Sequence, residues 1–241
     1  MTMGLFSKKE CSVCGGDAGR VFVKKLEDGI LCKECTGKLS PWFTGRRHAT
    51  VADIEAQLAY REANKAEVAR LNPTRTLGSD VKVYIDEAQG KFIVTSDSGW
   101  RNSNPDVINI TDVTGVNLET TENRYEETWT DDEGNTKSYN PPRWHVDRDY
   151  YAEINVNTTY FDEIRIQLNS YSVDGHDHAA AETYARMGQE LKDELLGQRK
   201  AAYDNAAAAA APKTAVTCRH CNATTILDEN GCCEYCGGAN V

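Results

Sequence analysis

Four Cys-x-x-Cys pairs are the residues of this sequence best suited to chemistry. Cys11-Ser-Val-Cys14-Gly-Gly is followed, after 17 residues, by Cys32-Lys-Glu-Cys35. Cys218-Arg-His-Cys221 is followed, after 11 residues, by Cys233-Glu-Tyr-Cys236-Gly-Gly. A two-residue turn offers two sulfurs to one side of an ion, and a second turn closes the tetrahedron that Zn²⁺ prefers. The spacing therefore predicts two structural Zn²⁺ ions, one held by Cys11, Cys14, Cys32 and Cys35, the other by Cys218, Cys221, Cys233 and Cys236. Four thiolates leave no open coordination position, so neither site is predicted to be catalytic. Redox dithiols sit at a helix start in a βαβ setting, which neither cluster shows in sequence. Rubredoxin-like iron uses similar knuckles and stands as the alternative metal. The ninth cysteine, Cys232, lacks the two-residue spacing to Cys236 and is expected to be a spare thiol. His220 lies inside a knuckle already complete with sulfur and is not expected to ligate.

These pairs need short elements to bring them together. Gly15 and Gly16 let the chain fold back after Cys14. Glu27-Asp28-Gly29 supplies a turn between Val21–Lys25 and Ile30–Cys32, predicting a hairpin that returns the second pair to the first. A helical turn after Cys35, ending at Ser40-Pro41, would make a ribbon or treble-clef-like module. At the other end Thr224–Leu227 reads as a strand and Asp228-Glu-Asn-Gly231 as a turn.

Between the clusters lie 182 residues without cysteine, from Thr36 to Thr217, a polarised placement that favours metal over a disulfide framework. Thr50-Val-Ala-Asp53 is a capping box, and Val51, Ile54 and Leu58 follow at helical spacing, predicting a helix over roughly Val51–Leu71 before Asn72-Pro73. From Leu77 to Ser170 the apolar period changes to two. Val81–Ile85, Lys91–Thr95, Val107–Thr111, Gly115–Glu119, Arg124–Thr130, Arg143–Val156 and Glu163–Leu168 read as strands of a small antiparallel barrel or sandwich. After Asp177, Tyr184, Met187, Leu191 and Leu195 form one apolar stripe of a closing helix. Strands closed by one helix are the order of a pleckstrin-homology-like domain. The fold class predicted is α+β, divided as residues 1–48 (zinc module), 49–76 (connecting helix), 77–203 (barrel and helix), 204–213 (alanine-rich linker) and 214–241 (zinc ribbon).

Of 241 residues, 27 are Lys or Arg and 37 are Asp or Glu, a net charge of -10. That excess disfavours a protein whose main task is to coat nucleic acid or anionic lipid. It is unevenly spread: residues 1–48 hold nine cations against five acids, residues 77–170 eight against eighteen. The acidic body favours a basic protein partner. The first module, through Arg20, Lys24, Lys25, Lys33, Arg46 and Arg47, offers nucleic-acid binding as the alternative. Trp42 and Phe43 beside Arg46-Arg47-His48 read more simply as tethers than as contacts for bases. An enzyme would draw on His145, His176 and His178 with Asp147, Asp174 and Asp177, yet no nucleophile elbow, phosphate loop or His-Glu-x-x-His accompanies them. No catalytic residue is predicted. No secretory signal and no apolar run of membrane-spanning length is read, so a reducing, cytoplasmic setting is expected.

The chain also resembles a bacterial family of small proteins of unassigned function. The residues that carry the likeness are Met3–Phe6, Cys11–Gly16, Leu31–Cys35, Lys38–Pro41, Trp42, Phe43, Arg46-Arg47-His48 and Gln57–Asn64, with Asn140-Pro-Pro-Arg143 and Ile154-Asn-Val-Asn157 further on. The C-terminal segment resembles the generic zinc ribbons that end many bacterial proteins. The resemblance implies zinc binding and transfers no activity, leaving a zinc-binding adaptor as the expected function.

Overall fold

The computed structural model describes residues 9–19, 23–211, 215–228 and 230–240. The chain forms two units, Met1–Ala202 and Tyr203–Val241. The first opens with the hairpin β1 (Lys24–Lys25) and β2 (Ile30–Leu31), then α1 (Lys33–Lys38), a 3-10 turn at Gly45–His48 and α2 (Val51–Arg70). The expected start of the hairpin at Val21 and Phe22, and the cation Arg20, lie outside the described residues. α1 starts inside the second cysteine pair rather than after it. Cys32 is its N-cap, with its sulfur accepting the Cys35 N–H at 3.3 Å. α2 begins at the expected capping box: the Thr50 hydroxyl accepts from Asp53 N, and the Asp53 carboxylate accepts from Thr50 N at 2.8 Å.

The period-two stretch folds as antiparallel sheets that do not close into a barrel. β3 (Arg75–Gly78), β4 (Lys82–Asp86), β5 (Lys91–Thr95) and β6 (Ile108–Asn109) pair in chain order, with α3 (Trp100–Ser103) between the last two. β7 (Val113–Glu126) is one 14-residue strand where two shorter runs were expected. Past the small hairpin of β8 (Thr128–Thr130) and β9 (Thr136–Ser138), it pairs with β10 (Trp144–Val156) from Val113↔Val156 to Glu126↔Trp144. β11 (Glu163–Gln167) and β12 (Val173–Asp174) complete this second sheet on β10. The two sheets share one core: Val83, Ile85, Phe92 and Val94 from one, Val116, Ala152, Ile154, Ile164 and Ile166 from the other. α4 (His178–Ala210) adds Leu191 and Leu195, both fully buried, while Tyr184 and Met187 of the same stripe pack at its margin. Gly188 lies where an added Cβ would come within 3.0 Å of Leu118 and 3.1 Å of Leu168, so its lack of a side chain sets how closely α4 approaches the sheet. Ala206–Ala210, expected as linker, continue this helix, as the high helix propensity of alanine favours.

One buried polar network joins the cysteine module, α2 and the loop before β6. The Arg61 guanidinium meets Asp106 at 2.7 Å, with both side chains nearly inaccessible, and also donates to the carbonyls of Lys38 and Asn104. Ser40 donates to the other oxygen of Asp106 at 2.9 Å. Asn64 donates to Pro105 O and accepts from Val107 N. Burial pushes the Asp106 carboxyl above its ordinary range, and Arg61 and Ser40 oppose that shift. Asp106→Ala would leave Arg61 charged, buried and without its carboxylate, a loss of about 3–5 kcal/mol. Arg61→Met combined with Asp106→Leu should recover much of that stability in urea unfolding.

Candidate metal centres

Both cysteine sets are assembled from one repeated loop. In Cys11–Gly16 the N–H of Gly15 bonds Cys11 O (2.9 Å) and the N–H of Cys11 bonds Gly16 O (2.7 Å). The same two bonds recur as Asn222 N to Cys218 O with Cys218 N to Ala223 O, and as Gly237 N to Cys233 O with Cys233 N to Gly238 O. In each loop the fourth residue after the first cysteine is left-handed: Gly15 at φ 70°, Asn222 at 54°, Gly237 at 68°. These are the residue types that enter that region at least strain. The N-terminal set thus combines one knuckle with the first turn of α1. The C-terminal set combines two knuckles, the first of which is the turn of the hairpin β13 (Val216–Thr217) and β14 (Thr224–Thr225).

In each set the four sulfurs lie within 4.8 Å of one another. Cys14 and Cys32 sulfurs are 3.7 Å apart, Cys218 and Cys236 3.6 Å, and Cys221 and Cys233 3.7 Å. A tetrahedron with Zn–S of ~2.3 Å has edges of about 3.8 Å, so the spacing fits that ion. Ionisation within each set is uneven. Burial would raise Cys11, but the backbone N–H groups at Cys14, Cys32 and Val13 hold it down at about 6. N–H groups of Cys221 and His220 hold Cys218 at about 6 as well. Burial and the neighbouring thiols push Cys35 up. Against the Gly238 N–H, the thiols of Cys221, Cys218 and Cys233, together with burial, push Cys236 up to about 12. Both are the environment of sulfurs set close together to share a cation, which must displace the remaining protons when it binds.

A family described as a domain of unknown function, DUF4428, matches residues 9–57. None of the curated proteins and none of the solved structures matches the chain. The DUF4428 segment contains the whole N-terminal cysteine set, the 3-10 turn and the first turns of α2. Its description carries no activity. The likeness drawn from residues 58–64, 140–143 and 154–157 lies beyond it.

The surroundings of the two sets differ. Cys11, Cys32 and Cys35 belong to an apolar cluster with Leu26, Leu31, Leu39, Ala49 and Ile54 of α2. Among the described residues no such cluster includes the C-terminal cysteines, of which Cys221 and Cys236 are exposed. Cys232 stands outside the set, its sulfur 3.9 Å from Asn230 O. His220 turns its Nε2 to Ala239 O at 3.0 Å. Trp42 packs against the core of the two sheets and Phe43 against that of the cysteine module, as tethers do.

Pairing of β10 with β12 brings several of the histidines and aspartates into one chain of contacts. Tyr125 OH donates to Asp147, whose other oxygen lies 3.0 Å from His145 Nε2. That nitrogen is 3.7 Å from Asp174, which in turn meets His176 Nδ1 at 3.1 Å. Asp177 instead accepts from Ala180 N at the start of α4, where His178 is the first residue. Among the described residues, three or more ligand atoms converge within 4.8 Å in the two cysteine sets and not here. The tip of the β7–β10 ribbon, with its exposed Tyr125, Trp129 and Trp144, was not singled out in sequence, because its aromatics are spread between polar residues.

The left-handed position gives a direct test of the knuckle. A Cβ at Gly237 meets no atom within 4 Å, so Gly237→Ala acts through backbone strain alone. It should cost about 1–2 kcal/mol, or roughly 5–30-fold in Zn²⁺ affinity by chelator competition, whereas Asn222→Gly should leave affinity unchanged or improved.

Proposed function

We propose that the chain is a non-enzymatic adaptor whose two terminal modules are each braced by a structural Zn²⁺. The observation that carries this reading is the completeness of both sulfur sets. Four thiols at tetrahedral spacing saturate a Zn²⁺ and leave it no position for water or substrate. Cys11, Cys14, Cys32 and Cys35 would hold one ion, Cys218, Cys221, Cys233 and Cys236 the other. Free thiols in such sets persist in a reducing compartment, which favours a cytoplasmic setting. Among the described residues no helix is long and apolar enough to cross a membrane.

The body between the modules is read as pleckstrin-homology-like. Support comes from the succession of a sheet of consecutive strands, a second antiparallel sheet, and a helix packed into their shared core. Its surface is where a protein partner would dock. The ribbon tip bears Trp129 and Trp144, each over two-fifths exposed, on a body with eighteen acids against eight cations. Arg124 lies over the Trp144 ring at 4.7 Å and Lys137 at 6.0 Å from that of Trp129, so it is the acidic excess of the body as a whole that matches a partner segment rich in Lys and Arg. A narrow groove of about 220 Å³ between β7, β10 and α4, lined by Leu118, Tyr150 and Tyr184, adds a second apolar contact.

Metal analysis of reduced protein should find two Zn²⁺ per chain, falling to one in Cys11→Ser/Cys14→Ser. A chelator should take the C-terminal ion first, because no apolar cluster shields it. A photo-crosslinker placed at residue 129 or 144 should capture a basic protein that a crosslinker at exposed Tyr171 does not. Fewer than two ions, or identical capture from all three positions, would overturn the respective half of the reading.

A further inference from the structure

In the body, Arg61, Lys65, Arg70, Arg75, Lys91, Lys137, Arg148 and Arg165 pair with Asp or Glu, while Lys82, Arg124 and Arg143, scattered along the chain, form no ion pair among the described residues. What sets the cysteine module apart is that its unpaired cations are gathered in one place. Lys24, Lys25, Arg46 and Arg47 pair with none, and the Nε of Arg46 is buried without an acceptor. These four line a single open groove of about 580 Å³, completed by Val23 and Leu26 and containing no acid. Like charges gathered around one concavity repel each other, so the arrangement is relieved by an anion with several charges.

The groove is also held in shape. β1 carries the lysines and the 3-10 turn Gly45–His48 carries the arginines. The two are joined by Glu27 N to Ala49 O at 3.0 Å, and Val51 N bonds Asp28 at 2.8 Å across the same seam. Trp42 and Phe43, anchored in two cores, fix the chain just before the turn. The backbone that carries the cations is therefore fixed before a ligand arrives.

We infer that this groove binds the sugar–phosphate backbone of a nucleic acid. A row of phosphates satisfies four cations along one groove, as a single phosphate does not. The described lining has no aromatic ring to stack a base and no amide to read one, so the binding is sequence-independent. A lipid surface fits less well, because among the described residues the large exposed apolar side chains all lie beyond residue 117. The net charge of -10 does not forbid it: at physiological salt, fields are screened over about 8 Å, and the module itself holds nine cations against five acids. Of the six cations expected from sequence, Lys33 does not line the groove and Arg20 is not described. The inference is independent of the adaptor reading, which concerns the body.

The test is fluorescence anisotropy on the full zinc-loaded chain with labelled single strands of about 20 nucleotides, DNA and RNA, of two unrelated sequences. Binding at low salt should be equal for the two sequences, and log K should fall against log salt with a slope of about -3, as four cations predict. Lys24→Ala/Lys25→Ala/Arg46→Ala/Arg47→Ala should lose binding by about tenfold or more, with zinc content and melting temperature unchanged, while Lys33→Ala should keep it. Should the fourfold variant fold poorly, Lys24→Glu/Lys25→Glu, confined to β1, must give the same loss. No binding at low salt, binding that survives these substitutions, or binding only to phosphatidylserine–phosphatidylcholine vesicles would overturn it.

Discussion

Sulfurs about 3.7 Å apart cannot all be charged without a cation between them, and this constraint shapes both ends of the molecule. The same knuckle is used three times, each closed by two backbone hydrogen bonds and a left-handed residue. Where a fourth knuckle would stand, the N-terminal set uses the opening turn of α1, whose Cys32 serves at once as cap and as member of the set. That substitution matters for packing. A helix start can be followed by more helix and by apolar contacts, and the N-terminal set is enclosed by Leu31, Leu39 and Ile54. Two knuckles, the first carried on a hairpin of two-residue strands, give the C-terminal set no comparable cover among the described residues.

The N-terminal module is fastened to the body by a buried polar network as well as by apolar contacts. Arg61, Asp106, Ser40 and Asn64 bond to one another or to the loop before β6, and Trp42 adds the apolar anchor. A buried ion pair of this kind contributes less to stability than to geometry, because desolvation offsets much of the attraction. What it secures is a defined orientation: misplacing α2 would strand a guanidinium and a carboxylate in the interior. Ion pairs such as Lys65–Glu62, Arg70–Glu67 and Arg165–Glu119 lie at the surface, where each contributes little.

Spacing made the sulfur sets legible in the sequence, since ligand geometry acts over a few residues. Thr50 and Asp53 marked the start of α2 for the same reason. The antiparallel strands were legible wherever one face is buried, as in Glu163–Gln167 and Ile154–Val156. The middle of β7 was not. Thr120–Asn123 lies beyond the core and carries polar residues on both faces, so the period that betrays a strand is missing although the pairing with β10 runs on. β3, with Leu77 as its one buried residue, left no period either. Whether two sheets join edge to edge depends on hydrogen bonds between distant strands, which side-chain alternation does not encode. That is why a barrel was as good an expectation as two separate sheets. The groove of the cysteine module was half-visible: its lysines and arginines were evident, but their convergence depends on the Glu27–Ala49 bond, which no residue pattern announces.

The sulfur sets also differ from the body in how far along the chain each contact reaches. The first set is complete within 25 residues, from Cys11 to Cys35, and the second within 19, from Cys218 to Cys236. The body is sewn by longer stitches, such as Ser40 to Asp106 and Ser79 to Leu168 O. Short loops close at small entropic cost and long ones only after much of the chain is present. During synthesis, then, the N-terminal site can close before α2 exists to cover it, while the second sheet and the core it shares with the first must wait for β10 and β11. The N-terminal site is thus an early local clasp, the centre closes more slowly, and the C-terminal site, equally local, closes only when its own residues emerge.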